Sequence, residues 1–145
     1  MKQRNEYIVD IKVHNPRTVN IVCDATFYGK RKDKLGTLVF KDVKTKEILI
    51  WKHIESETVQ DYRYLKEELL SHGYTITSAT LDGKRGLNQA FKDIPIQMCH
   101  FHQKKIVQRY ITMKPKLEAS RELKKIVSRL TQTTEKKFTK KLDDW

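Results

Sequence analysis

The hydrophobic spacing of this chain changes after residue 54 from a period of about two to one of about 3.6, which marks where strands give way to helix. Before that point stand three β-rich runs. TVNIVCDATFY (18–28) is dense in β-branched and aromatic residues and stops at Gly29, which predicts a strand. LGTLVFKDV (35–43) and KEILIWKHI (46–54) predict two more, joined as a hairpin through Lys44 and Thr45, and KRKDK (30–34) predicts a charged turn. After the change, ESETVQDYRYLKEELLSHGY sets Val59, Tyr62, Leu65, Leu69 and Leu70 on one helical face. Ser56 is the expected N-cap, Glu57 and Asp61 suit the positive helix start, and Gly73 suits its end.

Beyond that helix, TITSATL (75–81) predicts a strand, GLNQAFKD (86–93) a short helix and IPIQMC (94–99) another strand. From Phe101 the spacing is helical, broken near Pro115, with Leu117, Leu123, Ile126, Val127 and Leu130 on a common stripe. The order β-β-β-α-β-α-β-α predicts an α/β fold in which an antiparallel meander is continued by helical crossovers into one mixed sheet, the ribonuclease H-like arrangement. The expected organisation is a lead-in over 1–17, a core over 18–103 and a basic helical extension over 104–145.

A chain of 145 residues, 38% apolar and 33% charged, suits one globular domain and is neither disordered nor membrane-like in composition. Its net charge of +12 is uneven: residues 101–145 carry 13 Lys and Arg against 5 Asp and Glu. Such a basic half attracts polyanions, and with no helix pairing an apolar face to a cationic one, nucleic acid is expected over a membrane surface. A solvated basic helix without a partner is the plainer alternative. The opening residues MKQRNEYIVD are polar and no stretch approaches the roughly 18 apolar residues of a membrane span, so a reducing cytoplasmic setting is expected, with Cys23 and Cys99 as thiols.

Asp24 interrupts the apolar run VNIVCDATF, where burying a lone carboxylate is costly. Asp82 directly follows the run TITSATL, at a strand end where α/β sheets build sites. If the two strands are parallel neighbours the carboxylates face each other, and hard oxygen ligands with repelling charges favour Mg²⁺ or Mn²⁺. Two such ions roughly 3.5–4 Å apart suit in-line phosphoryl displacement. Hydrogen bonding of Asp24 to nearby backbone or a lysine is the structural alternative. Cys99, His100 and His102 follow within QMCHFHQKK; Cys-x-x-His has zinc-ligand spacing, but Cys23 is the sole other cysteine, so a place beside the acidic pair is expected instead of a closed zinc site.

The blocks CDATFYG (23–29), LVFKD (38–42), LDGKRGL (81–87) and PIQMCHFHQ (95–103) resemble those of bacterial insertion-sequence transposases of the Mutator-like group. The resemblance implies a ribonuclease H-like fold with an Asp-Asp-Glu metal site, in which Asp24 and Asp82 are the two catalytic, metal-binding aspartates and Cys99 and His102 the accessory Cys-x-x-His pair. It implies DNA end cleavage and strand transfer with two Mg²⁺ or Mn²⁺ ions, transposon ends and target DNA as partners, a homodimer or larger assembly on that DNA, and a nucleoid-associated cytoplasmic location. In that family the Glu follows a long helical insertion, so a catalytic-core fragment that is inactive by itself is expected, with its Glu beyond Trp145. Glu118, with 35 residues between it and Asp82, has the compact spacing of a complete metal-dependent nuclease. A non-catalytic DNA-binding or assembly module is the other alternative. Lys84, Arg85, Lys104, Lys105 and Arg109 are the expected phosphate contacts.

Overall fold

The computed structural model describes residues 12–145, so most of the expected lead-in, residues 1–11, lies outside the described residues. Five strands, β1 (Thr18–Tyr28), β2 (Leu35–Asp42), β3 (Ile48–Ile54), β4 (Thr75–Leu81) and β5 (Ile96–Met98), form one mixed sheet in the order β3-β2-β1-β4-β5. The meander β1-β2-β3 is antiparallel, whereas β4 lies parallel to β1 and β5 parallel to β4. Helices α1 (Val59–Ser71), α2 (His100–Ile111), α3 (Glu118–Ser128) and α4 (Glu135–Asp143) complete the chain.

The core follows from strand alternation. Val19, Ile21 and Cys23 of β1 point to one face, where they meet Leu38 and Phe40 of β2 and Ile76, Ala79 and Leu81 of β4. Helix α1 covers that face with Tyr62, Leu65 and Leu69, each removed from water at a gain of about 1.5–3 kcal/mol per large side chain. Phe40, Tyr62 and Phe91 gather with centroids 5.9–6.4 Å apart, joining sheet, helix and the segment after β4.

Several local expectations are corrected. The helix cap is Thr58, not Ser56: Thr58 Oγ1 accepts from the Asp61 N–H (3.2 Å) and donates to Asp61 Oδ2 (2.6 Å), a reciprocal pair that Ser56 is too far upstream to make. The hairpin turn is wider than Lys44-Thr45, because Asp42 pairs with Glu47 and its carboxylate accepts from the Lys44 N–H and the Thr45 hydroxyl. Arg17 clamps the same loop through Asp42 (2.8 Å) and Glu47 (2.7 Å). Residues 87–91 form a 3-10 turn, and β5 has three residues.

The basic extension is three helices. α2 ends at Thr112 (φ 66°) ahead of Pro115, packs against α3, and α3 packs against α4. Leu117 does not join the apolar stripe: it caps α3 and is 73% exposed, while Val127 is buried. Leu70 likewise leaves the buried face of α1, and Lys66 takes a place there. Its stem covers the core while its ammonium donates to the Ala90 carbonyl (3.2 Å) and pairs with Asp93. No described helix is long and apolar enough to cross a membrane.

Candidate functional site

Strand register brings the two sequence-marked aspartates together. Val22 of β1 stands opposite Thr80 of β4, and two residues further on lie Asp24, within β1, and Asp82, just past the end of β4, close enough for Asp82 to act on the charge of Asp24. Leu81 is level with Met98 of β5, and the Cys99 N–H donates to the Leu81 carbonyl at 2.6 Å, so Cys99 continues the same row. Asp82 and Cys99 thus directly follow the ends of β4 and β5, beside the middle of β1, which carries Asp24 and runs on to Tyr28 along β2. Helix α2 starts there and carries His102 back toward β1; Asp24, Thr26, Cys99, Phe101, His102 and Lys105 line one cleft.

Asp24 lies on the face opposite Ile21 and Cys23 and is open to solvent, so it does not bear the full burial cost that an apolar strand suggests. Enough protein surrounds it that partial burial raises its pKa, offset in part by His102; Asp82 and Glu57 raise it further, and the Ala25 N–H lowers it. Asp82 Oδ1 accepts the Lys84 N–H at 2.8 Å. Gly83 makes that turn possible: its φ is +84°, and a Cβ there would stand 2.6 Å from Met98 Cε.

Neither aspartate is paired with a lysine or arginine among the described residues. Two adjacent carboxylates without a lysine or arginine partner among the described residues and with unused oxygen acceptors suit a hard divalent cation whose remaining ligands are water. Among the described residues, no three His, Cys, Asp or Glu side chains are close enough to hold one ion. Glu118 does not join the pair. It lies at the start of α3, in a groove with Glu122, Lys125, Lys141 and Trp145.

Cys23 and Cys99 are free thiols; Cys23 is buried in the core, and burial pushes its thiol up. His102 Nδ1 is buried without a hydrogen-bond partner among the described residues, and His100 Nε2 meets the Gln97 amide at 2.8 Å. The expected phosphate contacts divide. The Lys84 ammonium is held by Glu57, at 2.8 Å from its carbonyl and 3.0 Å from Oε2, and Lys104 by the Ser128 carbonyl at 2.8 Å. Arg85 and Arg109 are exposed, and Lys105 lies over the Phe101 ring (4.3 Å) at the edge of the acidic cleft.

Glu57 is the residue that the sequence does not mark as part of the site. Its local signal is only that of an acid near a helix start. Its nearness to Lys84 and Asp24 arises from packing of segments far apart in sequence.

No family model matches the chain, and no curated protein matches it. Among solved structures, a chain in the cryoEM structure of simian T-cell lymphotropic virus intasome in complex with PP2A regulatory subunit B56 gamma is similar at a TM-score of 0.43 and 11% identity, over 87% of this chain and 52% of that one. The present chain thus spans about half the length of that one, and a likeness of this degree carries no argument about fold or function.

Proposed function

We propose that this chain is the core of a DNA transposase with a ribonuclease H-like sheet, resembling the Mutator-like group, in which Asp24 and Asp82 bind Mg²⁺ or Mn²⁺ for phosphoryl transfer. The observation that carries the proposal is the pair itself: among the described residues neither carboxylate has a lysine or arginine partner, and Asp82, directly after β4, raises the pKa of Asp24 on the neighbouring parallel strand β1. Asp24 and Asp82 would hold divalent ions, which when bound would supply the positive charge needed to activate an attacking oxygen, water and then a DNA 3′-OH, and to stabilise the leaving 3′ oxygen. Asp24 and Asp82 contribute the fixed oxygen ligands. Cys99 and His102 wall the cleft beside Asp24, and exposed Lys105, Arg85 and Arg109 would meet phosphates of transposon ends and target DNA.

On this reading a third carboxylate comes from outside the described residues. Fixed coordination is as necessary as charge, so the described residues by themselves would hold the ions loosely and leave them inactive. A compact nuclease needs Glu118 beside the pair, and its position in the α3–α4 groove speaks against that. A non-catalytic DNA-binding or assembly module is favoured by one observation, the lack of a third ligand among the described residues.

Mn²⁺ titration with Asp24→Asn and Asp82→Asn, followed by a DNA cleavage assay, separates these readings. The transposase core binds Mn²⁺ weakly, loses it in both variants and cleaves nothing. Unchanged Mn²⁺ binding in both variants overturns the shared metal site, and cleavage abolished by Glu118→Gln establishes the compact nuclease.

A further inference from the structure

A third carboxylate beside an acidic pair is electrostatically unfavourable, and Glu57 does raise the pKa of Asp24. The surrounding bonds account for its presence. Glu57 Oε1 accepts the Tyr62 hydroxyl at 2.5 Å, and Tyr62 is a core residue only 1% exposed in the first turn of α1. Burial and that bond push the phenol far above its ordinary value, so it stays a donor. Glu57 Oε2 and the Glu57 carbonyl together hold the Lys84 ammonium, and the same Lys84 donates its backbone N–H to Asp82 Oδ1. The Glu57 side chain is 10% exposed and that of Lys84 46%, so the anchor is the glutamate.

We infer that Glu57 is a positioning residue: through Lys84 it ties the turn bearing Asp82 to the core at Tyr62 and fixes the direction of the Asp82 carboxylate. One Asp82 oxygen is held by the turn while Oδ2 has no hydrogen-bond partner among the described residues, leaving it free to act as a ligand opposite Asp24. Glu57 does not complete a three-ligand cluster with the aspartates, so it acts on the site through Lys84. The same bonds remove Lys84 from the groups that meet DNA phosphate. The metal-affinity consequence rests on the function proposed above; the ordering of the turn does not.

The sign of the Lys84 effect separates positioning from plain electrostatics. Removing a positive charge near a cation site tightens cation binding if charge alone matters, whereas a positioning role makes Lys84→Met weaken it. Mn²⁺ titration is expected to show about 10-fold weaker binding in Glu57→Ala and in Lys84→Met, the usual lower range for losing a residue that orients a ligand. Glu57→Gln keeps an oxygen acceptor for Lys84 and should stay within about threefold of the original chain. Backbone amide exchange at residue 84 is the second readout, expected to be roughly 10-fold faster in Glu57→Ala and Lys84→Met but not in Glu57→Gln. Tyr62→Phe, which preserves the core ring, should show a smaller change in the same direction.

Tighter or unchanged Mn²⁺ binding in Lys84→Met, with exchange unaltered, overturns the inference. Equal loss of Mn²⁺ in Glu57→Gln and Glu57→Ala with Lys84→Met unaffected makes Glu57 a direct ligand and also overturns it. If the original chain binds no Mn²⁺, the metal reading fails while amide exchange still decides the clamp.

Discussion

Asp24 and Asp82 stand level with one another because each follows by two residues a pair, Val22 and Thr80, that lie opposite in the parallel register of β1 and β4. β4 ends at Leu81 alongside the middle of β1, so two carboxylates separated by 57 intervening residues come close where β4 gives way to its loop.

Their mutual repulsion should be visible in stability. Asp24 has a folded pKa raised above its unfolded value, first by partial burial and then by Asp82 and Glu57, so the protonated form favours folding and that contribution is lost as pH rises through the folded pKa. Asp24→Asn should therefore stabilise the metal-free chain at neutral pH by about 0.5 kcal/mol, a value reduced for solvent screening. Thermal melts in a chelator should show the gain at pH 7 and not at pH 3; a loss of stability at pH 7 would contradict it.

Acid should act on the hairpin end of the sheet. Burial tends to raise the pKa of Asp42, but bonds from Arg17, the Lys44 N–H and Thr45 outweigh it and hold the carboxyl down at about 2. Because that folded pKa is depressed, its stabilisation is present above the ordinary aspartate value of about 4 and is lost as pH falls toward 2. Arg17→Met should lower the melting temperature by about 5 °C at pH 7, with the difference shrinking below pH 4. An equal difference at all pH values would show that Arg17 contributes packing alone.

DNA binding should be steeply salt-dependent, since +8 of the net charge lies in residues 101–145. Deleting residues 114–145 should lower affinity and flatten the slope of log K against log salt. Lys105→Ala should reduce the slope by about one and weaken binding uniformly across sequences, while Lys84→Ala should leave the slope unchanged because its ammonium is held by Glu57. Fluorescence anisotropy over a salt series checks all three.

Thiol accessibility should separate the cysteines. Cys23 is 2% exposed with its thiol pushed up by burial, whereas Cys99 is partly open at the start of α2. A maleimide or aromatic disulfide reagent should modify Cys99 at least about 10-fold faster in the folded chain, with Cys23 reacting only on opening of the core. Comparable rates without denaturant would place Cys23 outside the core.

Much of the fold is legible locally. β-branched runs mark the five strands, the change of period marks α1, and Pro115 marks a break among the basic helices. Local patterns cannot show which apolar residues are covered. Lys66 occupies the buried face of α1 while Leu70 stays exposed, since Asp93 and the Ala90 carbonyl arrive from a segment more than twenty residues away. The loop between β2 and β3 and the cap of α1 depended on particular carboxylate bonds that composition alone does not rank.

At the site, the sequence by itself determined that Asp24 sits in a β-rich run and Asp82 at the end of another, because those residues and their neighbours have strong local preferences. Tertiary structure decided the rest: the parallel register that sets Asp24 level with Asp82, the separation of Glu118 from them, and the bonding of Lys84 to Glu57. The physical reason is range. Strand and helix preferences act over a few neighbouring residues, whereas these carboxylate and ammonium contacts join segments whose approach is fixed by burying the core between sheet and α1.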